Sequence, residues 1–111
     1  MPVLNLQTNI SAAKIPEDFE RQLCEKVGEV LNKPLERITL TITTNLRQFR
    51  ASSADPMVVL SIHSIAVFDE EKNPNYTPPL LSFLSEKLSL PKSRILVLYF
   101  DLLPYQIGQQ V

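Results

Sequence analysis

Pro2, behind Met1, is the residue of this chain best placed for acid–base chemistry. When an aminopeptidase removes Met1, Pro2 becomes the N-terminus and its nitrogen a secondary amine. No other position in a protein offers one. With Met1 attached, the same nitrogen is a tertiary amide without basicity. The reference pKa of an α-amino group is about 8. An apolar pocket or a nearby cation disfavours the charged form. Either brings the amine toward neutrality, where a general base works best. The apolar run Val3-Leu4-Asn5-Leu6 reads as a strand that holds the amine in place. A Met-Pro start alone is common and carries no function, so the rest of the chain must supply the case.

Other chemistries find little support. The single cysteine, Cys24, excludes an internal disulfide and any CxxC redox or zinc pair. It reads as a small buried hydrophobe on a helix. The only glycines, Gly28 and Gly108, leave no Gly-rich phosphate loop. Eleven basic against twelve acidic residues, without a basic block, make no electrostatic case for nucleic acid. No apolar run approaches the ~18 residues of a membrane span, and no signal-peptide pattern opens the chain. The cytoplasm is the default expectation. At 111 residues, 44% hydrophobic and 21% charged, residues 1–111 make one domain with a modest core.

The elements that must position Pro2 follow from hydrophobic periodicity. Residues 3–8 are the first strand. Pro16-Glu17-Asp18 opens a helix, since proline suits a first turn and acids favour its dipole. Phe19, Leu23, Val27, Val30 and Leu31 form its apolar stripe. It ends about Asn32, because Lys33 precedes Pro34 and is biased away from helical geometry. Ile38, Leu40 and Ile42 alternate with threonines as a half-buried strand. Residues 45–56 form a loop. Met57 to Phe68 is the longest strand candidate. Residues 69–75 read as a charged loop, and Pro78-Pro79 starts a second helix whose buried face is Leu80, Leu81, Leu84 and Leu88. Arg94 to Phe100 is the last strand, and Leu102 to Val111 a short tail.

The chain repeats itself. Residues 3–8 resemble 59–64, and Pro34-Leu35-Glu36-Arg37-Ile38 resembles Pro91-Lys92-Ser93-Arg94-Ile95, at offsets of 56 and 57. Each half, about 1–45 and 57–102, reads strand, helix, strand. The expected fold class is α/β: two βαβ repeats forming a four-stranded mixed sheet. Right-handed crossovers put both helices on one face. The later strands are apolar on both faces. Val58, Leu60 and Ile62 oppose Val59, Ile65 and Val67, and Leu96, Leu98 and Phe100 oppose Ile95, Val97 and Tyr99. Bare apolar patches of that size are rare in monomers, so a homo-oligomer is expected.

These residues together resemble the macrophage migration inhibitory factor and D-dopachrome tautomerase family of the tautomerase superfamily. The resemblance runs nearly end to end. It rests on Met1-Pro2, Thr8-Asn9, Asn32-Lys33-Pro34, Ser61-Ile62-His63-Ser64-Ile65, Leu90-Pro91-Lys92-Ser93-Arg94 and Ile107-Gly108. Leu23-Cys24, Arg94-Ile95-Leu96 and Gln106-Ile107-Gly108 lean toward the D-dopachrome tautomerase branch. The resemblance implies a homotrimer whose sheets line a central barrel, with pockets between subunits. It implies Pro2 as catalytic base and no metal or organic cofactor. Lys33 corresponds to the lysine that binds a substrate carboxylate; read without the resemblance it is a solvated helix-end lysine. Ile65 and Ile107 correspond to pocket residues, and Ser64, beside Ile65, is expected to line the same pocket. His63 also aligns and takes no role.

There are departures from the family pattern. Leu96 and Leu98 stand where one branch has tyrosine and asparagine, so an enol oxygen loses polar partners there. Met57-Val58-Val59-Leu60 replaces the family CxxC, which removes thiol–disulfide chemistry at that place. The tail after Gly108 is short, Gln109-Gln110-Val111. The resemblance implies keto–enol tautomerisation of a small aromatic α-keto acid or a dopachrome-like substrate, with carbon dioxide released from D-dopachrome in the closer branch. The competing expectation is a cytokine binding a cell-surface receptor, secreted unconventionally, with catalysis weak or absent.

Overall fold

A computed structural model describes residues 1–110; Val111, the last residue of the expected tail, lies outside them. Four strands form one sheet: β1 (Val3–Thr8), β2 (Thr39–Thr43), β3 (Val58–Ile65) and β4 (Ile95–Leu102). Their order is β2-β1-β3-β4. Helix α1 (Phe19–Leu31) joins the parallel pair β1 and β2, and α2 (Asn73–Leu88) joins the parallel pair β3 and β4. The two βαβ units meet at the antiparallel pair β1 and β3.

Period-two alternation decides which face is which. Leu4, Leu6, Val58, Leu60 and Ile62 are fully buried under both helices. The facing helix residues are Phe19, Leu23, Val27 and Leu31 of α1 and Leu80, Leu84 and Leu88 of α2. Both helices therefore cover one face, and the other is bare in the single chain. On the bare face Thr39, Thr41 and Thr43 of β2 give way, across the sheet, to Leu96, Leu98, Phe100 and Leu102 of β4. Leu98 and Phe100 are 37% and 42% exposed. One residue of the expected bare face changes sides. Ala66 adopts φ 57°, which ends β3, and Val67 packs against the helix-side core.

The repeat extends to the helix ends. Asn32 and Ser89 both take left-handed φ, 56° and 55°. The next N–H then reaches back five residues, Lys33 to Gly28 O at 2.9 Å and Leu90 to Ser85 O at 3.1 Å. These are Schellman-type closures that satisfy carbonyls the helix leaves open. A proline and one 3-10 turn follow in each half, Leu35–Arg37 and Lys92–Arg94, before the strand begins.

Strand β3 is shorter than expected, Val58–Ile65 rather than Met57 to Phe68, and three other elements differ at their boundaries. Helix α1 begins at Phe19 rather than at Pro16, because Asp18 has φ 65° and cannot continue a right-handed helix backward. Strand β4 runs from Ile95 to Leu102, one residue later at its start and two later at its end. Helix α2 begins at Asn73, so Pro78 and Pro79 lie inside it and residues 73–75 are helix rather than loop. Interior prolines drop the N–H bonds to the fourth residue back. Local and tertiary bonds hold the first turn instead. Asp69 Oδ1 accepts from the N–H groups of Glu71 and Lys72, Tyr76 Oη donates to Val67 O at 2.7 Å, and Thr77 Oγ1 lies 2.7 Å from Tyr99 Oη. No helix among the described residues is long and apolar enough to cross a membrane.

Thr8 and Asn9 lock the entry into β3. Thr8 Oγ1 is buried, donates to Met57 O at 2.7 Å and accepts from the Ile10 N–H at 3.0 Å. Asn9 Oδ1 accepts from the Met57 N–H at 2.9 Å. Thr8→Val keeps the shape and strands both partners, at an expected cost of about 1–3 kcal/mol in urea unfolding.

Candidate functional site

The geometry around Pro2 follows from strand register. Val3 is opposite His63 on β3 and beside Thr39 on β2. One residue back, the same register sets Pro2 between Ser64 and Ile38. Pro2 is fully buried, and so is Ser64. The Pro2 carbonyl accepts from the Thr39 N–H at 3.1 Å. In a strand the nitrogen and carbonyl of one residue face the same neighbour. The Pro2 nitrogen therefore faces β2, and the ring Cδ, standing where a ladder N–H would be, is turned toward the Arg37 carbonyl. Pro2 and Ser64 form the close, non-hydrogen-bonded type of antiparallel pair, with Cα atoms about 4.5 Å apart. The buried Ser64 Oγ has no hydrogen-bond partner among the described residues.

Helix geometry brings Lys33 to the same end of the sheet. The six residues of β1 rise about 20 Å, and the thirteen of α1 return about the same distance. Helix α1 runs back against β1, so its C-terminus, and Lys33 just beyond it, arrive beside the start of β1. Gly28 permits this approach. A Cβ on Gly28 would lie 2.7 Å from the Lys33 carbonyl oxygen and 3.2 Å from Ile38 Cδ1. Backbone must shift to admit it, so Gly28→Ala is expected to raise KM for a carboxylate substrate more than it lowers kcat.

The electrostatics at this end favour a neutral amine. The Met1 amino group is held below its ordinary value, first by burial, then by the positive charges of Lys33 and Arg37. That amine lies one residue outside Pro2, at the mouth of the same site. Among the described residues neither Lys33 nor Arg37 has a carboxylate within 4.0 Å. Arg37, whose charge also acts on this amine, was not singled out from the sequence.

The other expected residues divide. Ile65 closes β3 at this end and pairs with Leu102. Ile107 leaves β4 at the same end, five residues beyond Leu102, after the turn Pro104–Gln106. Leu96 and Leu98 are not at this site in the single chain. They pair with Val59 and Ser61. Leu96 therefore lies about 20 Å along the sheet from Ile65. His63 stacks on Phe100, ring centroids 4.5 Å apart. Cys24 is half-buried, and burial and then Glu20 raise its thiol pKa, so it is no ready nucleophile. Three grooves of about 530, 500 and 490 Å³ lie elsewhere, at Ala12–Glu20 with Ile42, at Leu46–Phe49, and at Ser89–Pro91 with Arg94.

Comparison with known proteins agrees with this architecture. A family model described as Macrophage migration inhibitory factor (MIF) matches residues 1–111. The D-dopachrome decarboxylase of Mus musculus is 34% identical over 111 residues, 99% of this chain and 94% of its own. The MIF-like protein mif-2 of Caenorhabditis elegans is 33% identical over 108 residues, 97% of this chain and 90% of its own. The solved macrophage migration inhibitory factor of Trichinella spiralis superposes with a TM-score of 0.91 at 27% identity, covering 96% of this chain and 95% of that one. The chain belongs to the macrophage migration inhibitory factor family.

Proposed function

We propose that the protein is a cofactor-free keto–enol tautomerase whose general base is Pro2 after removal of Met1. The observation that carries this reading is the environment of the N-terminus, where burial, Lys33 and Arg37 together lower an amine's pKa. Relatives named D-dopachrome decarboxylase at about a third identity support an enzymatic role.

The neutral Pro2 amine has one N–H and one lone pair. The ring Cδ takes the place of the ladder N–H, so the new N–H and the lone pair share the space that Met1 occupied. Lys33 receives the substrate carboxylate by a charge-assisted hydrogen bond. In ketonisation Pro2 takes the enol O–H proton, the C=C electron pair shifts, and prolinium returns a proton to carbon. The proton count is unchanged, so no other reactant is required. Ser64, Ile65 and Ile107 line the site. A D-dopachrome-like substrate held by the same carboxylate contact would lose that group as carbon dioxide.

The pocket is completed by a second copy. Leu96 and Leu98 of one subunit lie too far from its own Pro2 and sit on the bare face at an edge strand, where a neighbour's site can receive them. A homotrimer closing on that face is the assembly we propose. Ketonisation of enol-phenylpyruvate tests the function, with sedimentation reporting the assembly. A rate from oligomer that begins at Pro2 supports the reading, and no rate from folded oligomer overturns it.

A further inference from the structure

Strand β3 ends in a strained turn beside the Pro2 site. Ala66 holds φ 57°, a left-handed conformation that a residue with a Cβ takes only at a cost. Such outliers persist where their surroundings fix them, and they gather at functional sites. A side chain fixes this one. The Ala66 N–H donates to Asp101 Oδ1 at 3.2 Å. The backbone of β4 could not complete that pairing. Ser64 lies opposite Asp101 and Ile65 opposite Leu102. A continued ladder would therefore set the Ala66 carbonyl against the N–H of residue 104, which is proline and has none. Beyond the turn, Tyr76 Oη donates to the Val67 carbonyl at 2.7 Å. Asp101 makes no ion pair among the described residues.

The residue before the turn gives it significance. The Pro2 carbonyl is committed to β2, so Val3 and His63, which are partners, turn their N–H and carbonyl groups toward each other. Two residues on, the same register sets Ile65 opposite Met1, with its N–H and carbonyl facing that residue. Removal of Met1 takes the neighbouring strand away, and both Ile65 groups then open onto the space beside the Pro2 amine. The peptide unit joining Ile65 to Ala66 is planar, with its N–H and carbonyl on opposite edges. Holding the Ala66 N–H on Asp101 therefore fixes the direction of the Ile65 carbonyl.

We infer that Asp101 is a positioning residue of the Pro2 site: through the Ala66 N–H it locks the Ile65–Ala66 peptide, so that the Ile65 backbone presents a fixed hydrogen-bonding edge to bound substrate. This rests on the tautomerase reading, and deepens it. Asp101 touches no reacting atom, and proton transfer at Pro2 is unchanged. An edge aligned before substrate arrives costs no reorganisation on binding. Charge acts in the opposite sense. A carboxylate near an anionic substrate repels it, so loss of the charge alone would tighten binding.

The test uses oligomer beginning at Pro2, with enol-phenylpyruvate as substrate and amide hydrogen exchange as a second readout. Asp101→Ala is expected to raise KM about three- to tenfold, the scale of one net hydrogen bond, with kcat changed by less than about twofold, as for a contact made equally in ground and transition states. Exchange at the Ala66 amide should quicken. Asp101→Asn keeps the Oδ1 acceptor without the charge, and should return KM and Ala66 exchange close to wild type. A lower KM in both variants would mean that Asp101 acts by charge, and overturns the inference. So does an unmoved KM, whether or not the urea midpoint falls. Calorimetric binding of phenylpyruvate separates the two proposals. If turnover is absent but binding weakens in Asp101→Ala and recovers in Asp101→Asn, the tautomerase reading fails and the positioning role stands. If wild type neither turns over nor binds phenylpyruvate, both fall.

Discussion

Pro2→Gly lowers kcat/KM for ketonisation of enol-phenylpyruvate by about 10²-fold, with circular dichroism and sedimentation unchanged. General-base catalysis contributes about 10²–10⁴-fold, and glycine keeps a primary amine, so the loss falls at the lower end. Two features of proline are lost. Its ring fills a fully buried position against the sheet. Its ring locks rotation about the N–Cα bond and so restricts where the lone pair points, whereas a primary amine rotates. The pH profile gives the sign. Activity needs the unprotonated amine, so kcat/KM rises with pH through its pKa. The Met1 amine, one residue outside Pro2, is held below the ordinary α-amino value by burial, then Lys33 and Arg37, and the Pro2 amine, next to the same cations, is expected to be lowered in the same direction. Removing either cation moves the rise toward higher pH; added salt moves it the same way in part, because screening leaves the burial contribution intact.

Phe19→Ala destabilises the fold by about 3–5 kcal/mol, the range for a buried phenylalanine truncation. Phe19 is fully buried at the first turn of α1, and its ring lies 6.1 Å from that of Phe83 on α2. It stands where the two helices meet over the sheet, so few neighbours can relax into the cavity. The comparison of urea midpoints belongs at one protein concentration, since assembly adds concentration-dependent stability. Phe19 is at the end of α1 opposite Lys33. Whatever fraction stays folded should therefore keep the wild-type kcat per folded site. A large fall in kcat without a shift in midpoint would contradict this separation.

Much of the fold was legible because burial leaves a period in sequence. The alternation of Leu4, Leu6 and Thr8, and the stripe from Phe19 to Leu31, each name a face. The repeat gave the order of elements and, through the crossover rule, the side the helices take. The start of α2 was not legible, because Pro78 and Pro79 carry a helix-start signal while the bonds that hold the real first turn come from Tyr76, Thr77 and Asp69 to distant partners. At the site, Pro2 stood out by its own chemistry and Lys33 by family resemblance, and the register explains their meeting. Arg37 has no periodic signature. Only the hydrogen bond from Thr39 to the Pro2 carbonyl shows that the residue two before Thr39 borders the Pro2 nitrogen.

The most direct measurement is enol-phenylpyruvate ketonisation by two preparations of one sequence, distinguished by intact mass as keeping or lacking Met1. The account predicts turnover only in protein that begins at Pro2, with at least about a 10²-fold difference. Equal rates from both, at equal folding and assembly, would contradict it.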